Sequence, residues 1–177
     1  MSLAETFLAE FQQEVETTRK FLQNLPADKL DWQPHEKSLT AGQLALHVAR
    51  VPGEVLEMGL RSHITMADLN PSSGYRPTSF QEIMDELDES EAKVKELLPT
   101  ITDAQMQETW SLQVDGNPIF ELPRAALLRS IMFNHWYHHR GQFGVYLRLL
   151  GAKVPSSYGP SGDEMPEFLQ GVEMSMS

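Results

Sequence analysis

Hydrophobic side chains recur every three or four residues in four long segments of the chain. In the first segment, residues 3–24, Leu3, Phe7 and Phe11 share one face, and the residues between them are mostly polar. This spacing is typical of an amphipathic helix that buries one stripe against a core. The pattern stops at Pro26, so the first segment predicts a helix that ends just before this proline.

A second helix is predicted over residues 41–63. Thr40 stands immediately before the segment and is a suitable N-cap, since its hydroxyl can accept a hydrogen bond from a free backbone N–H. Pro52 and Gly53 lie inside the segment. Proline lacks the N–H that a helix interior needs, so this pair predicts a kink or a weakened turn.

The third helix is predicted over residues 78–101, after a loop at 64–77 that is rich in turn-forming residues. Thr78 or Ser79 serves as its N-cap, and Glu82 is spaced to complete a capping box. The outward face of this helix is strongly acidic, which is typical of a solvated surface.

A hairpin and a fourth helix complete the pattern. Residues 109–123 alternate weakly around Asp115-Gly116, which predicts two strands joined by a tight turn. The longest and most apolar helix is predicted over 123–151. The remainder, 152–177, is rich in Pro, Gly and Ser and predicts an extended tail that covers one end of the molecule. The fold class expected is therefore all-α, a four-helix bundle with a short β-hairpin before the last helix.

Size and charge restrict the function. The 177 residues suit one domain, residues 1–177, and 25 acidic against 14 basic residues give a net charge of −11. This charge argues against binding to nucleic acid or to anionic lipid. No segment approaches the roughly 18 to 20 apolar residues of a membrane span, and no signal peptide is evident. We expect a soluble, cytoplasmic protein that acts on a small molecule.

The stretch "FNHWYHHRGQ", residues 133–142, concentrates three of the six histidines. His135 and His139 lie on the predicted inward stripe of the last helix, one turn apart, and can share one metal ion. His138 lies about 100° around the helix and is expected to pack or to support a ligand. The full predicted stripe consists of Leu128, Ile131, Met132, His135, His139, Gln142, Tyr146 and Leu149.

A third histidine, His47, faces inward from the second helix with Leu44 and Val48. Two ligands from one helix and one from another would form a three-nitrogen site with open coordination positions, as in catalytic metal sites. The chain has no cysteine, so a metal must be held by His, Asp or Glu. The alternative for these residues is a set of surface histidines or hydrogen-bonded core histidines that bind no metal.

Two motifs resemble a known family. "HWYHHRGQFGVYLRLLGAKVPSSYGPSGDE" (135–164) is similar to the C-terminal signature of the DinB-like superfamily, and "LDWQPHEKSLTAGQLALHVAR" (30–50) to its earlier signature. The resemblance implies a bundle of the up-up-down-down type in which His47, His135 and His139 bind a divalent ion such as zinc or nickel. It also implies a homodimer. Some relatives are thiol transferases that use a low-molecular-weight thiol.

Other residues near these motifs are candidates for the site. Tyr158 could fold over the metal and donate a proton, and Arg140 could hold an anionic substrate group, hold a carboxylate of the tail, or form a structural salt bridge. Gln142 could accept the second ring N–H of a ligand. Arg50 and Arg148 are, with Arg140, the basic candidates for binding an anionic thiol cofactor.

Together these features suggest a divalent-metal-dependent enzyme, either a thiol S-transferase or a hydrolase. The metal would activate a thiol cofactor in the first case and water in the second. The sequence does not choose between these reactions. The alternatives are a non-catalytic metal-binding stress-response module and a metal-free helical interaction protein.

Overall fold

Four long helices form the bundle that the sequence predicts. The computed structural model describes residues 1–69, 74–166 and 169. Three of the long helices are α1 (Leu3–Gln23), α2 (Ala41–Leu60) and α3 (Phe80–Leu97). The fourth, called the last helix below, consists of α5 (Arg124–Leu127), a π-helical segment (Leu128–Asn134) and α6 (His135–Leu149). Smaller helical pieces are α4 (Asp103–Gln107) and two 3₁₀ turns, Ala27–Lys29 and Leu98–Thr100.

Side-chain caps fix the starts of α2 and α3. The Thr40 hydroxyl accepts from the backbone N–H of Gln43, whose side chain accepts in return from the Thr40 N–H. Ser79 caps α3 by accepting from the N–H of Glu82. The Glu82 carboxylate accepts from the N–H of Thr78 rather than from that of the N-cap, so the predicted capping box is not formed at α3. Because each cap satisfies an N–H that the helix leaves unpaired, both helices begin where the sequence predicts.

Ion pairs show which helices run in the same direction. Arg50 of α2 pairs with Glu86 of α3, and seven residues further along both helices Glu57 pairs with Lys93, so α2 and α3 are parallel. The same holds for α1 and the last helix, where Glu10 pairs with Arg129 and Glu14 pairs with Arg140. Residue numbers rise along both helices from one pair to the next, so α1 and the last helix are also parallel.

The last helix is antiparallel to α2. Tyr146, near its end, donates to the carbonyl of Leu39 just before α2, whereas Trp136, ten residues earlier, donates to Val48 within α2. In chain order the four long helices therefore run up, down, down and up. The two adjacent parallel pairs of an up-up-down-down bundle are present, formed by α2 with α3 and by the last helix with α1.

The hairpin is confirmed, and it belongs to a three-stranded sheet. Strands β2 (Thr109–Val114) and β3 (Asn117–Pro123) are antiparallel, and Asp115 and Gly116 turn between them with φ of 50° and 75°. Positive φ at both positions is the geometry that Asp-Gly favours. Strand β1 (His63–Thr65) adds to β2 in parallel, within the stretch where the sequence predicted the end of a helix and a loop.

Three residues of the predicted inward stripe of the last helix are exposed instead: Ile131, Gln142 and Leu149. Ile131 is 41% exposed and Leu149 is 60% exposed. Ile131 lies in the π-helical segment, where an i→i+5 hydrogen bond changes the angle between successive side chains from that of an α-helix. Ile131 lines an apolar groove of about 240 Å³ with Leu69 and Phe120 instead of facing the core.

The described part of the predicted tail lies along the last helix. Val154 packs on the core, and Asp163 pairs with Arg148. Gly151, with φ of 71°, follows the last helix as the sequence predicts. The end of the predicted tail, residues 167–168 and 170–177, lies outside the described residues. In the part of the chain that the structure describes, no helix is both long and apolar enough to cross a membrane.

Candidate metal centre

The three predicted ligands lie together between α2 and the last helix. The ring centroids of His135 and His139 are 4.4 Å apart, and the ring of His47 lies 4.5 Å from His139 and 5.2 Å from His135. The Nε2 atoms of His135 and His139 are 2.8 Å apart. We call these three residues the histidine cluster. All three are partly buried, and one ligand atom from each lies within 4.8 Å of the others.

A hydrogen bond from Trp136 sets the register between the two helices that carry the cluster. In a regular helix the carbonyl of Val48 would accept from residue 52, but Pro52 has no N–H. The indole N–H of the buried Trp136 donates to this carbonyl instead, over 2.8 Å. Trp136 is the neighbour of His135, and Val48 is the neighbour of His47. The same bond therefore holds the two histidines at the same height along the bundle axis.

Gly53, the residue after Pro52 in α2, also makes a hydrogen bond to another helix. The backbone N–H of Gly53 donates over 2.9 Å to the Ser90 hydroxyl of α3. A Cβ at Gly53 would lie 3.0 Å from Cα and Oγ of Ser90, so this close approach requires glycine. The Pro-Gly pair that predicted a weakened turn thus joins α2 to α3 and to the last helix.

His135 follows directly after the π-helical segment. Such segments are rare and frequently lie at functional sites. The buried Nδ1 of His135 makes no hydrogen bond of normal geometry to the described residues. Burial lowers the pKa of this ring, and the carbonyl of Ile131, one turn earlier, opposes part of that shift. Its Nε2 faces His139.

Gln142 fixes the proton of His139. The Gln142 side-chain Oε1 lies 2.7 Å from Nδ1 of His139. An amide oxygen can only accept, so Nδ1 donates and the neutral ring keeps its lone pair on Nε2, toward His135. This is the role that the sequence suggested for Gln142, and it is the usual support of a metal-ligating histidine.

Burial keeps the cluster uncharged. It lowers the pKa of His47 to about 4, with further lowering by His139 and His135. Burial also lowers the pKa of His135, with contributions from His139 and the exposed His138, and that of His139, where Gln142 opposes the shift. At neutral pH the three rings are therefore neutral, which is the form that binds a metal.

The donor set fits a divalent transition metal. In a tetrahedral site two metal–nitrogen bonds of about 2.0 to 2.1 Å place their nitrogens roughly 3.4 Å apart. The three ligand atoms of the cluster lie within 4.8 Å of one another, so small side-chain movements would bring them to such a site. Three imidazoles suit zinc, nickel, copper or iron better than magnesium or calcium, which prefer oxygen ligands. Among the described residues these three form the group that could hold an ion, so further coordination positions would remain for a small molecule.

A cleft of about 480 Å³ opens beside His139. Its apolar wall comes from the loop before α2, from α2 and from α6, and its polar residues come from that loop and from α6. The apolar residues are Leu39, Leu44, Val145 and Tyr146, and the others are Lys37, Ser38, His139 and Gln142. Tyr146 anchors the loop, because its hydroxyl donates to the Leu39 carbonyl and its ring meets Trp32 edge-on.

Arg140 belongs to a second polar region, on the side of α6 that faces α1. It is 2% exposed, and its guanidinium lies 2.5 Å from the Glu14 carboxylate. It also donates to the hydroxyls of Thr18 and Tyr158. Tyr158 in turn donates to Glu14, although its side chain is 67% exposed. We call these four residues the arginine network.

The arginine network ties the tail to α1. Of the roles considered for Arg140, the structural salt bridge is present, with Glu14 as its partner rather than a carboxylate of the tail. The hydroxyl of Tyr158 is bonded to Arg140 and Glu14. Although most of the ring is exposed, the hydroxyl loses solvent where it meets Arg140 and Glu14, and this desolvation raises its pKa to about 12, so the hydroxyl is protonated at neutral pH. The catalytic roles suggested for Arg140 and Tyr158 stay predictions.

The two other predicted basic residues are also paired with carboxylates. Arg50 lies 2.5 Å from Glu86, and Arg148 lies 2.6 Å from Asp163. Neither belongs to the described lining of the cleft beside His139. Their suggested role in binding a cofactor stays a prediction. Sequence reasoning missed Lys37, whose place in the cleft depends on how the loop before α2 folds back onto α6.

The bundle, the hairpin before the last helix and the histidine cluster between α2 and α6 define a class of four-helix proteins with a three-histidine, metal-compatible centre. The chain belongs to the DinB family, whose model matches residues 1–169.

Individual relatives agree with this assignment. The chain is 30% identical over 164 residues to the uncharacterized protein YrdA of Bacillus subtilis strain 168, covering 92% of each chain. A crystal structure of a DinB-like protein from Bacillus cereus superposes with a TM-score of 0.68 at 26% identity, covering 87% of this chain and 97% of that one. A DinB-like protein of Bacillus subtilis shares the fold, with a TM-score of 0.65 at 17% identity, covering 91% and 96%.

Proposed function

We propose that the protein is a divalent-metal-dependent enzyme in which His47, His135 and His139 hold the ion. The observation that supports this proposal is the convergence of three neutral imidazoles, one of which, His139, lines an open cleft. A purely structural metal site is usually closed by a fourth protein ligand, whereas a catalytic site leaves a position open.

The metal would supply an activated nucleophile. A zinc ion lowers the pKa of a coordinated water to about 7 and deprotonates a coordinated thiol. The chain itself has no cysteine, so a thiol nucleophile would have to come from a low-molecular-weight cofactor. Thiol transfer and hydrolysis are therefore two forms of one proposal, distinguished by what enters the cleft.

The residues around the histidine cluster would orient the reactants. Gln142 keeps the proton of His139 on Nδ1, away from the metal position. Leu44 and Val145 present apolar surface to the cleft and would limit the access of water to the bound molecule. A volume of about 480 Å³ is within the range of small-molecule sites.

Metal loading and turnover test this proposal together. The purified protein is stripped with a chelator, reloaded with zinc or nickel and assayed with a panel of low-molecular-weight thiols and electrophiles, and separately with activated esters and amides. We expect turnover that depends on the metal and that His135→Ala abolishes. The matched control, His138→Ala, changes an exposed histidine of the same helix and should keep both metal and turnover.

Two outcomes would contradict the enzyme proposal. If zinc binds and raises the melting temperature but no substrate class turns over, the protein is the non-catalytic metal-binding module. If neither zinc nor nickel binds or stabilises the protein, the metal-free interaction protein is the remaining alternative.

A homodimer also stays a prediction, which sedimentation of the purified protein would test.

A further inference from the structure

The loop before α2 brings a positive charge into the cleft beside the histidine cluster. Lys37 lines this cleft together with Ser38. The loop position is fixed by hydrogen bonds around His35, since the Lys37 N–H donates to its Nδ1 and the Ser38 N–H to its carbonyl. Across the cleft stand His139 and Gln142 of α6.

Lys37 is available to a ligand in a way that the arginines near the site are not. Arg50, Arg140 and Arg148 each lie within 2.6 Å of a carboxylate of the chain. No carboxylate of the described residues lies within ion-pair distance, 4.0 Å, of the Lys37 ammonium. In a chain of net charge −11, an unpaired cation at a cleft wall attracts small anions locally.

The rest of the lining indicates what kind of anion would fit. Most of the wall is apolar, formed by Leu39, Leu44, Val145 and Tyr146. One ammonium group can balance one negative charge, and the acidic surface of the protein repels a polyanion. The cleft therefore suits a small organic molecule that has a single carboxylate at one end and an apolar body.

We propose that Lys37 determines specificity by binding the carboxylate of a small monoanionic ligand whose other end reaches the metal position beside His139. This assignment rests on the proposed function and adds the chemical class of the ligand. Ser38 supplies a neighbouring hydroxyl that can donate to the same carboxylate. The metal position and Lys37 thus select the two ends of one molecule.

Two thiols that differ only at the far end test the proposal. Cobalt(II) replaces the native ion as a spectroscopic probe, and the loaded protein is titrated with 3-mercaptopropionate and with 3-mercapto-1-propanol, following the visible cobalt bands. Both probes present the same thiol to the metal, and only the first carries a carboxylate. We expect 3-mercaptopropionate to bind about fivefold more tightly, the size of a partly exposed ion pair.

Variants separate the role of Lys37 from other effects. Lys37→Ala should remove the preference and leave the affinity for 3-mercapto-1-propanol unchanged, whereas Lys37→Arg should retain the preference. Lys20→Ala, which removes an exposed lysine in the last turn of α1, is the matched control and should behave as wild type.

The outcomes distinguish this assignment from the proposed function. If cobalt binds and the wild type shows no preference, or if Lys37→Ala keeps the preference, the assignment of Lys37 is wrong and the metal centre stands. If cobalt does not bind, the metal-dependent function is wrong, and the ligand assignment that rests on it is wrong as well.

Discussion

His139 and Arg140 are neighbours in the chain, yet they serve two polar regions of opposite character. In the arginine network the buried charge of Arg140 is met by Glu14 and by the hydroxyls of Thr18 and Tyr158. In the histidine cluster three neutral rings face one another, with the Nε2 atoms of His135 and His139 2.8 Å apart.

The difference between the two regions separates a structural site from a ligand site. The arginine network satisfies its own charge, so an added ion would gain nothing there. The histidine cluster brings ring nitrogens together without a charged partner among the described residues, and it lies beside an open cleft. The buried Nδ1 of His135 has no hydrogen-bond partner among the described residues, and the three rings together offer the nitrogen donors that a metal cation would need.

Removal of Arg140 should have the largest effect on stability. Arg140→Met leaves the Glu14 carboxylate without its partner and releases Tyr158, so we expect a loss of about 3 to 5 kcal/mol in the free energy of unfolding. Urea denaturation of the metal-free protein measures this loss. Because the histidine cluster is unchanged, zinc should add the same stabilisation to the variant as to the wild type.

Arg148→Met is the matched control, because it breaks the exposed pair with Asp163 and should cost much less. If Arg140→Met unfolds as the wild type does, the arginine network does not hold α1 and the tail together. If the variant loses the stabilisation by zinc, the two regions are not independent.

The bond between Trp136 and Val48 is the next most sensitive contact. Trp136→Phe leaves the buried Val48 carbonyl without a donor, because Pro52 cannot supply one. We expect a loss of about 1 to 3 kcal/mol, together with weaker zinc binding, since the bond aligns His135 with His47.

A double-mutant cycle isolates the hydrogen bond from the lost volume of the indole. Pro52→Ala returns a backbone N–H to α2, so the pair Trp136→Phe and Pro52→Ala should cost less than the sum of the single changes, by about 1 kcal/mol. Additive losses in urea denaturation would show that the indole acts through packing rather than through the Val48 carbonyl.

The sequence predicted correctly those features that depend on interactions between neighbouring residues. Thr40 starts α2, and Asp115-Gly116 turns the hairpin, because a cap or a two-residue turn depends only on neighbouring residues. The pair His135 and His139 also followed from helical spacing, since the two residues are one turn apart whatever surrounds them. His47 was expected beside them from the inward face of its own helix and from the family resemblance, and the structure places it there.

The features that the sequence did not predict depend on distant partners. Strand β1 has three residues and pairs with positions 111–113, nearly fifty residues later. The exposure of Ile131 follows from the π-helical segment, which a constant angle of about 100° per residue cannot represent. Lys37 has no local signal at all, because the fold of its loop against α6 brings it to the cleft.

The smallest predicted effect concerns the hydrogen bond that holds the proton of His139 on Nδ1. Gln142 is exposed, so Gln142→Leu should leave the stability of the metal-free protein nearly unchanged, but it removes the acceptor that holds the proton on Nδ1. We expect zinc affinity to fall about tenfold, as measured by competition with a chromophoric chelator.

Gln142→Glu keeps an acceptor at the same place and should bind zinc at least as well as the wild type. Equal affinities for Gln142→Leu and the wild type would show that the Nδ1 bond does not prepare His139 for the metal. Weak binding by both variants would show that the amide acts by its shape rather than by its oxygen.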